Sequence, residues 1–312
     1  MQSSPEPVTV FLPVLNGGER LERVLAAIKG QTTQRRVHLR AIDSGSSDGS
    51  RDVLARHGVE FCVIPKREYD HGLTRNRGVL ECPTELVALL SQDALPADPD
   101  WLENLIAPFE DPLVAGTWAR QVPQPACHPY QRINLSAHMA AAQANRVTEP
   151  LSPAEWVALQ PAERMHILVF DNVSSAVRKS VILRHPFPRS MFGEDVEWAR
   201  NVLLHGHRLV FAANAVVEHS HDVNVVEFSA RVAQTHQVRR RLTDHDPIPT
   251  LNDFAVRLGQ TTEAFRKACR DALDLPEDFR RHWEGCANLW ALCQIQAAYQ
   301  GAKQATYEPP RA

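Results

Sequence analysis

Short apolar runs rich in β-branched residues alternate with helically spaced segments through the first hundred residues, and few architectures accept that alternation. VTVFLPVL over 8–15 has the make-up of a buried strand and breaks at Asn16-Gly17-Gly18. Leu21, Val24, Leu25 and Ile28 then recur at helical spacing, ending on Gly30. VHLRAID over 37–43 is a second strand that runs into the Ser/Gly-rich loop SGSSDGS. A helix over 49–57, the strand VEFCVI over 59–64, a helix over 73–81 and a strand opening ELVALLSQD over 85–93 complete the series. This order predicts an α/β fold with a Rossmann-like, mostly parallel sheet and helices on both faces. Ligands of such sheets sit at the carboxyl ends of the strands, so chemistry is expected in the polar loops after strands one, two and four.

The rest of the chain is less regular. Residues 112–168, rich in Pro, Ala and Gln, have the look of a mobile insertion over the site, with helical character over 129–146. Strand then helix returns over 167–182, a helix over 195–209 and one or two strands over 209–221; beyond about 226 the pattern is helical. An α/β domain over 1–225 and a C-terminal helical region over 226–312 are therefore expected. Apolar residues make up 44% and charged residues 23%, which excludes a disordered or collagen-like chain. A net charge of −3 argues against a nucleic-acid binder. No apolar run reaches the roughly 18 residues of a membrane span. The N-terminus lacks the basic and long apolar regions of a secretion signal. Six scattered cysteines without a CxxC pair suit reduced thiols, so a cytoplasmic location is expected.

Several loops carry chemistry-bearing side chains, each with a plain structural alternative. IDSGSSDGS sets Asp43 and Ser44 at a strand end, where an acid can accept from a base N–H or a ribose hydroxyl, or merely shape a turn. LLSQDALP leaves Asp93 at the end of an apolar strand, suited to a hard divalent cation or to a turn. FGEDVEWA opens a helix with Glu194 and Asp195, followed by Glu197. Acids there favour the helix dipole, but three in four positions exceed what a cap requires, and one can act as a general base. VVEHSH places His219 and His221 on one side of a strand, as metal ligands or ordinary histidines. REYDHGLTRNRG gathers His71, Arg75, Asn76 and Arg77, whose guanidinium forks suit phosphate or a solvated helix start.

Taken in order, VFLPVLNGG, IDSGSSDGS, YDHGLTRNRG, SQDALP, FDNVSSAVRKS, FGEDVEWA and VVEHSH span roughly residues 7–222 and resemble the family 2 glycosyltransferases of the GT-A fold. YDHGLTRNRG and SQDALP are most similar to the bacterial rhamnosyltransferase-like group. The resemblance implies a nucleotide pocket along Pro13 and Asn16, with Asp43 and Ser44 toward a pyrimidine base. It places His71, Gly72, Arg75 and Asn76 along the ribose and diphosphate. Ser91-Gln92-Asp93 matches the family's DxD motif with its first acid replaced. Gln92 then falls to the donor side, and Asp93 holds Mg²⁺ or Mn²⁺ with His219, or with His221 as the second choice. Asp195 matches the catalytic base, with Glu194 beside it. Asp171, Asn172 and Ser174 resemble the wall between donor and acceptor. Trp198 either stacks on an acceptor sugar or belongs to the core.

The implied reaction is a single inverting displacement that moves a sugar, by this likeness L-rhamnose from dTDP-L-rhamnose, to a hydroxyl of a glycan or lipid-linked acceptor in bacterial surface polysaccharide synthesis. A UDP-sugar-dependent transferase and a catalytically silent nucleotide-sugar-binding protein are the alternatives. A nucleotidyltransferase would carry a Gly-rich basic loop after the first strand, and LNGGERLE is not one. Arg231, Arg239, Arg240 and Arg241 suit peripheral contact with an anionic membrane, or equally a helical cap or homodimer interface.

Overall fold

The computed structural model describes residues 5–125, 127–140, 144–220 and 223–310. In chain order the elements are β1 (Val8–Val14), α1 (Gly18–Lys29), β2 (Val37–Asp43), α2 (Ser50–Arg56), β3 (Glu60–Val63), α3 (His71–Glu81), β4 (Leu86–Leu90), β5 (Leu95–Pro96), α4 (Trp101–Ile106), β6 (Val114–Val122), α5 (Pro129–Ala140), β7 (Arg146–Thr148), α6 (Pro153–Ala158), α7 (Pro161–Ile167), β8 (Ser174–Arg178), α8 (Lys179–Arg184), α9 (Glu194–Leu204), β9 (Arg208–Glu218), α10 (Val225–Thr243), α11 (Leu251–Asp271) and α12 (Glu277–Lys303). They form two compact units. The first comprises Met1–Val122, Ala141–Ser152 and Leu168–His219, and the second Pro123–Ala140, Pro153–Ile167 and Ser220–Ala312.

The first unit is a sheet in the order β3-β2-β1-β4-β8-β6-β9-β5, with β7 added on β9. β1, β2, β3 and β4 pair in parallel, as the alternating sequence suggests. The other half is mixed. β8 runs antiparallel to both β4 and β6, β6 and β9 are parallel, and β5 and β7 lie antiparallel on β9. One face is closed by α1, whose Leu21, Leu25 and Ile28 join Val8, Val10 and Leu12 of β1, Ala88 of β4 and Trp101 of α4 in one core. Residues 112–168 contain β6 rather than a featureless insertion. β6 is buried along nearly its whole length, so its sequence VAGTWARQV lacks the alternation that marks a half-exposed strand.

The second unit is helical. Tyr130 of α5, Phe228 of α10, Phe265 and Cys269 of α11, and Trp290 of α12 form its core. Asn224 caps α10, and a reciprocal Thr250–Asp253 capping box starts α11. Pro153 and Pro161 open α6 and α7, where a proline costs no hydrogen bond. The helical unit thus includes two segments that precede residue 225 as well as the C-terminal helices. Arg240 and Arg241 pair with Asp244 at 3.0 Å and Glu308 at 3.2 Å, which makes the basic face smaller than its sequence suggests. Among the described residues no helix is long and apolar enough to cross a membrane.

Candidate active site

Strand direction gathers the polar loops at one edge of the sheet. β1, β2 and β4 end there, and β8, reversed against β4 with Ser174 opposite Leu90, begins there. β6 and β9, parallel to each other and reversed against β8, also end there. Segments from opposite ends of the first unit therefore converge: 15–18, 43–50, 91–94, 171–175 and 219.

The loops after β1, β2 and β4 are stitched together by side chains. The Leu15 N–H donates to Gln92 Oε1 at 2.9 Å, while Gln92 Nε2 donates to the Leu15 carbonyl at 2.8 Å. Asn16, at φ +50°, donates its N–H to Ser46 Oγ at 2.9 Å and accepts from the Ser47 N–H at 2.9 Å. Pro13 is the one partly exposed position of β1. Asp43 is wholly buried, and its Oδ1 accepts from the N–H groups of Gly45 at 3.1 Å and Ser46 at 3.0 Å. Arg51 Nε stands 3.6 Å from the same oxygen. Asp43 Oδ2 is buried with no hydrogen-bond partner. An open buried acceptor costs free energy that a ligand's N–H can recover.

The acidic half is built on two helix starts. Asp70 caps α3 by accepting from the Leu73 N–H at 2.9 Å, and His71 follows with its Nδ1 at 3.0 Å from the Tyr69 hydroxyl. One turn on, Arg75 is buried, with Nη1 3.1 Å from Glu194 Oε1 and donating to the His71 carbonyl at 3.1 Å. Gly193, at φ +77° where a side chain would be strained, turns the chain into α9 so that Glu194 and Asp195 lead it. Asn172 binds both acids: its backbone N–H donates to Asp195 Oδ2 at 3.2 Å and its Nδ2 to Glu194 Oε1 at 3.2 Å. Ser175 Oγ fixes that amide by donating to Asn172 Oδ1 at 2.9 Å. Asp171 accepts from the Val173 N–H at 2.8 Å and from Gln121 Nε2.

Asp195 remains half-buried, so a ligand can reach it. Protein packed around it raises its pKa well above the usual carboxylate value, and the neighbouring charges of Glu194 and Asp171 raise it further. Hydrogen bonds from the Val196 and Asn172 N–H groups oppose the shift without cancelling it. A carboxylate whose pKa is raised binds a proton more readily, which is what a general base must do.

Part of this edge falls within a region similar to known proteins. Residues 9–149 match the family model described as glycosyl transferase family 2. The chain is 29% identical over 219 residues to an O-antigen chain rhamnosyltransferase of Salmonella typhimurium, covering 69% of this chain and 67% of the relative. A second O-antigen chain rhamnosyltransferase, from Salmonella anatum, is 29% identical over 220 residues, with shares of 69% and 66%. The chain therefore spans about two thirds of the length of these relatives. The chain is thus similar to family 2 glycosyltransferases, and residues 9–149 carry the match to the family model. The fold agrees. A mannosyltransferase from Pyrobaculum calidifontis, solved with GDP-Man and Mn²⁺, superposes with a TM-score of 0.51 at 19% identity over 97% of this chain and 77% of its own. Glucosyl-3-phosphoglycerate synthase from Mycobacterium tuberculosis gives 0.50 at 16% identity, with shares of 75% and 79%. These are GT-A glycosyltransferases, and the mixed sheet of the present domain is of that kind.

Several residues expected at the ligand also make framework contacts. Ser44 is buried and donates its hydroxyl to the Val14 carbonyl at 3.0 Å, tying β2 to β1. Asn76 holds the backbone of Phe187 from both sides, at 2.8 and 2.9 Å. A Cβ on Gly72 would stand 1.8 Å from the Pro188 carbonyl oxygen, so this glycine permits helix and loop to touch rather than making room for phosphate. Ser174 is buried and accepts from the Trp101 indole at 3.0 Å. Trp198 is wholly buried, packs on Phe170 and Phe187, and donates to the His185 carbonyl at 2.8 Å, so it belongs to the core and is not an acceptor platform. Arg77 turns outward and pairs with Glu81 at 2.8 Å.

Asp93 and His219 come together across the sheet, with Nε2 3.7 Å from Oδ1. A hard carboxylate beside an imidazole suits a divalent cation, and the two residues fit one. Among the described residues no cluster of three ligating side chains exists. His221 lies outside the described residues. Sequence reasoning missed Gln121, which is 4% exposed near the end of β6 with its Oε1 2.8 Å from His219 Nδ1. The one signal was a polar pair, Arg120 and Gln121, at the end of the strand VAGTWARQV.

Proposed function

We propose that the chain is an inverting glycosyltransferase that moves L-rhamnose from dTDP-L-rhamnose to a hydroxyl of a glycan or lipid-linked acceptor in surface polysaccharide synthesis. The observation that carries the mechanism is Asp195: half-buried at the start of α9, fixed through Asn172, and raised in pKa by burial and two neighbouring acids. The acceptor hydroxyl oxygen forms a bond to the anomeric carbon as the bond from that carbon to the diphosphate oxygen breaks. The hydroxyl proton passes to the Asp195 carboxylate. One base with direct displacement inverts the configuration. Asp43, with its open Oδ2, takes an N–H of the pyrimidine. Asp93 and His219 would hold a Mg²⁺ or Mn²⁺ ion, which would supply positive charge to offset that of the departing diphosphate. Similarity to two O-antigen chain rhamnosyltransferases supports the donor and the polysaccharide setting. A cytoplasmic enzyme, with peripheral contact to the membrane that carries the acceptor, fits this reading.

The test is a thermal-shift panel of dTDP-rhamnose and UDP-sugars, with and without Mn²⁺, on wild type and Asp195→Asn. A ligand at about 100 times its Kd adds roughly 2.7 kcal/mol of stability. The expected result is a metal-dependent shift with dTDP-rhamnose that Asp195→Asn retains while transfer falls by about 10²–10⁴-fold. A shift with UDP-sugars alone replaces the donor. Full transfer by Asp195→Asn removes Asp195 as base. A shift without turnover supports the silent binder, and no shift with any donor refutes the nucleotide-sugar reading.

A further inference from the structure

Gln121 connects the two halves of the site through a single amide. Its Nε2 donates to Asp171 Oδ2, and its Oε1 lies 2.8 Å from His219 Nδ1. A carboxylate oxygen only accepts, so the NH₂ end of the amide must face Asp171 and the carbonyl end must face His219. That carbonyl also only accepts, so the neutral His219 ring carries its proton on Nδ1. The Nε2 lone pair is then on the side of Asp93, whose Oδ1 is 3.7 Å away. The backbone beneath is pinned. Gln121 is in register with Val217, and the His219 N–H donates to the Val122 carbonyl at 2.9 Å. Side-chain rotation and tautomer are the freedoms left to the histidine, and the amide removes both.

We infer that Gln121 is a positioning residue: it sets the tautomer and ring orientation of His219 toward Asp93 and, with the other end of the same amide, tethers Asp171 beside Asp195. The inference rests on the transferase reading, in which Asp93 and His219 hold the donor's cation. Ligating histidines depend on such partners, whose removal weakens metal affinity by about 10–100-fold. An amide is the group required. A leucine makes neither bond, whereas a glutamate accepts from His219 but repels Asp171.

The experiment is ¹⁵N NMR of the histidine ring nitrogens in the metal-free full chain, for wild type, Gln121→Leu and Gln121→Glu. It is paired with Mn²⁺ affinity in the presence of dTDP or UDP, read by electron paramagnetic resonance of free Mn²⁺. Wild type is expected to show His219 protonated on Nδ1. Gln121→Leu should mix the tautomers and weaken Mn²⁺ by about 10–100-fold. Gln121→Glu should keep the Nδ1–H tautomer and stay within about threefold of wild type in Mn²⁺ affinity, yet lose kcat through the displaced Asp171. A wild-type His219 protonated on Nε2, or a Gln121→Leu protein with unchanged tautomer and affinity, overturns the inference. Should Gln121→Leu not fold, the wild-type tautomer and Gln121→Glu still decide it. If Asp93→Ala binds Mn²⁺ as well as wild type, the cation reading fails, while the NMR result judges Gln121 independently.

Discussion

Replacing Glu194 by glutamine separates two effects of one carboxylate. Glu194 lies 3.1 Å from Arg75, and the two side chains are 6% and 7% exposed. Removing one member of a buried pair leaves the other charge uncompensated, at about 3–5 kcal/mol. The Arg75 Nε is already buried without a hydrogen-bond partner. Glutamine keeps an oxygen for the guanidinium and for Asn172 Nδ2, which puts the expected loss at the lower end, about 3 kcal/mol. At about 2–4 °C per kcal/mol for a unit of this size, Tm falls by about 6–12 °C. The second effect falls on Asp195. Burial is the first cause of its raised pKa and the Glu194 charge the second. Without that charge the pKa drops, yet burial holds it above the ordinary carboxylate value. A base must be ionised to work, so transfer is lost as pH falls through the Asp195 pKa. In Glu194→Gln the acid limb of kcat/KM therefore moves to lower pH. Linkage has the matching sign. Ionising a group whose folded pKa is raised costs stability as pH climbs from its unfolded value, about 3.9, to its folded one, and this cost shrinks in the variant. Thermal melts, the pH profile of transfer and ¹³C NMR of the Asp195 carboxyl measure the three consequences. An acid limb that stays put or moves upward would refute the placement of Glu194 as the charge that lifts the base, and an unchanged Tm would refute the buried pair.

Other substitutions follow from the same geometry. Asp43→Asn keeps an oxygen for the Gly45 and Ser46 N–H groups but puts a donor in place of the open Oδ2. The loss of about 1.5–3 kcal/mol should appear as a roughly 10–100-fold higher donor KM with little change in kcat, and an unaltered KM would place the base elsewhere. Trp198→Phe strands the His185 carbonyl and should cost about 1–3 kcal/mol in denaturant unfolding while acceptor KM holds steady. A raised acceptor KM at full stability would return this side chain to the acceptor. Gly72→Ala forces its Cβ against the Pro188 carbonyl, so a loss of at least about 1–3 kcal/mol is expected, and a variant as stable as wild type would disprove the contact.

What could be read from the chain alone was local. β1 to β4 and α1 each combine an apolar pattern with a breaking loop within a dozen residues, and that local signal located Asp43, Asp93 and Asp195 at the ends of their elements. Backbone propensity and the dipole preference of acids act between near neighbours, so sequence suffices for them. The tertiary structure decided which side chains face one another. The reversed direction of β8 brought residues 171–175 to the carboxyl end of β4. Asn76 was drawn to Phe187, 111 residues away, and Trp198 into a pocket of Phe170 and Phe187. Gln121 met His219, 98 positions along the chain, only because β6 and β9 pair in parallel. A polar group's role depends on the partner it meets after burial, and that partner is set by strand order and direction rather than by the residues beside it in the chain.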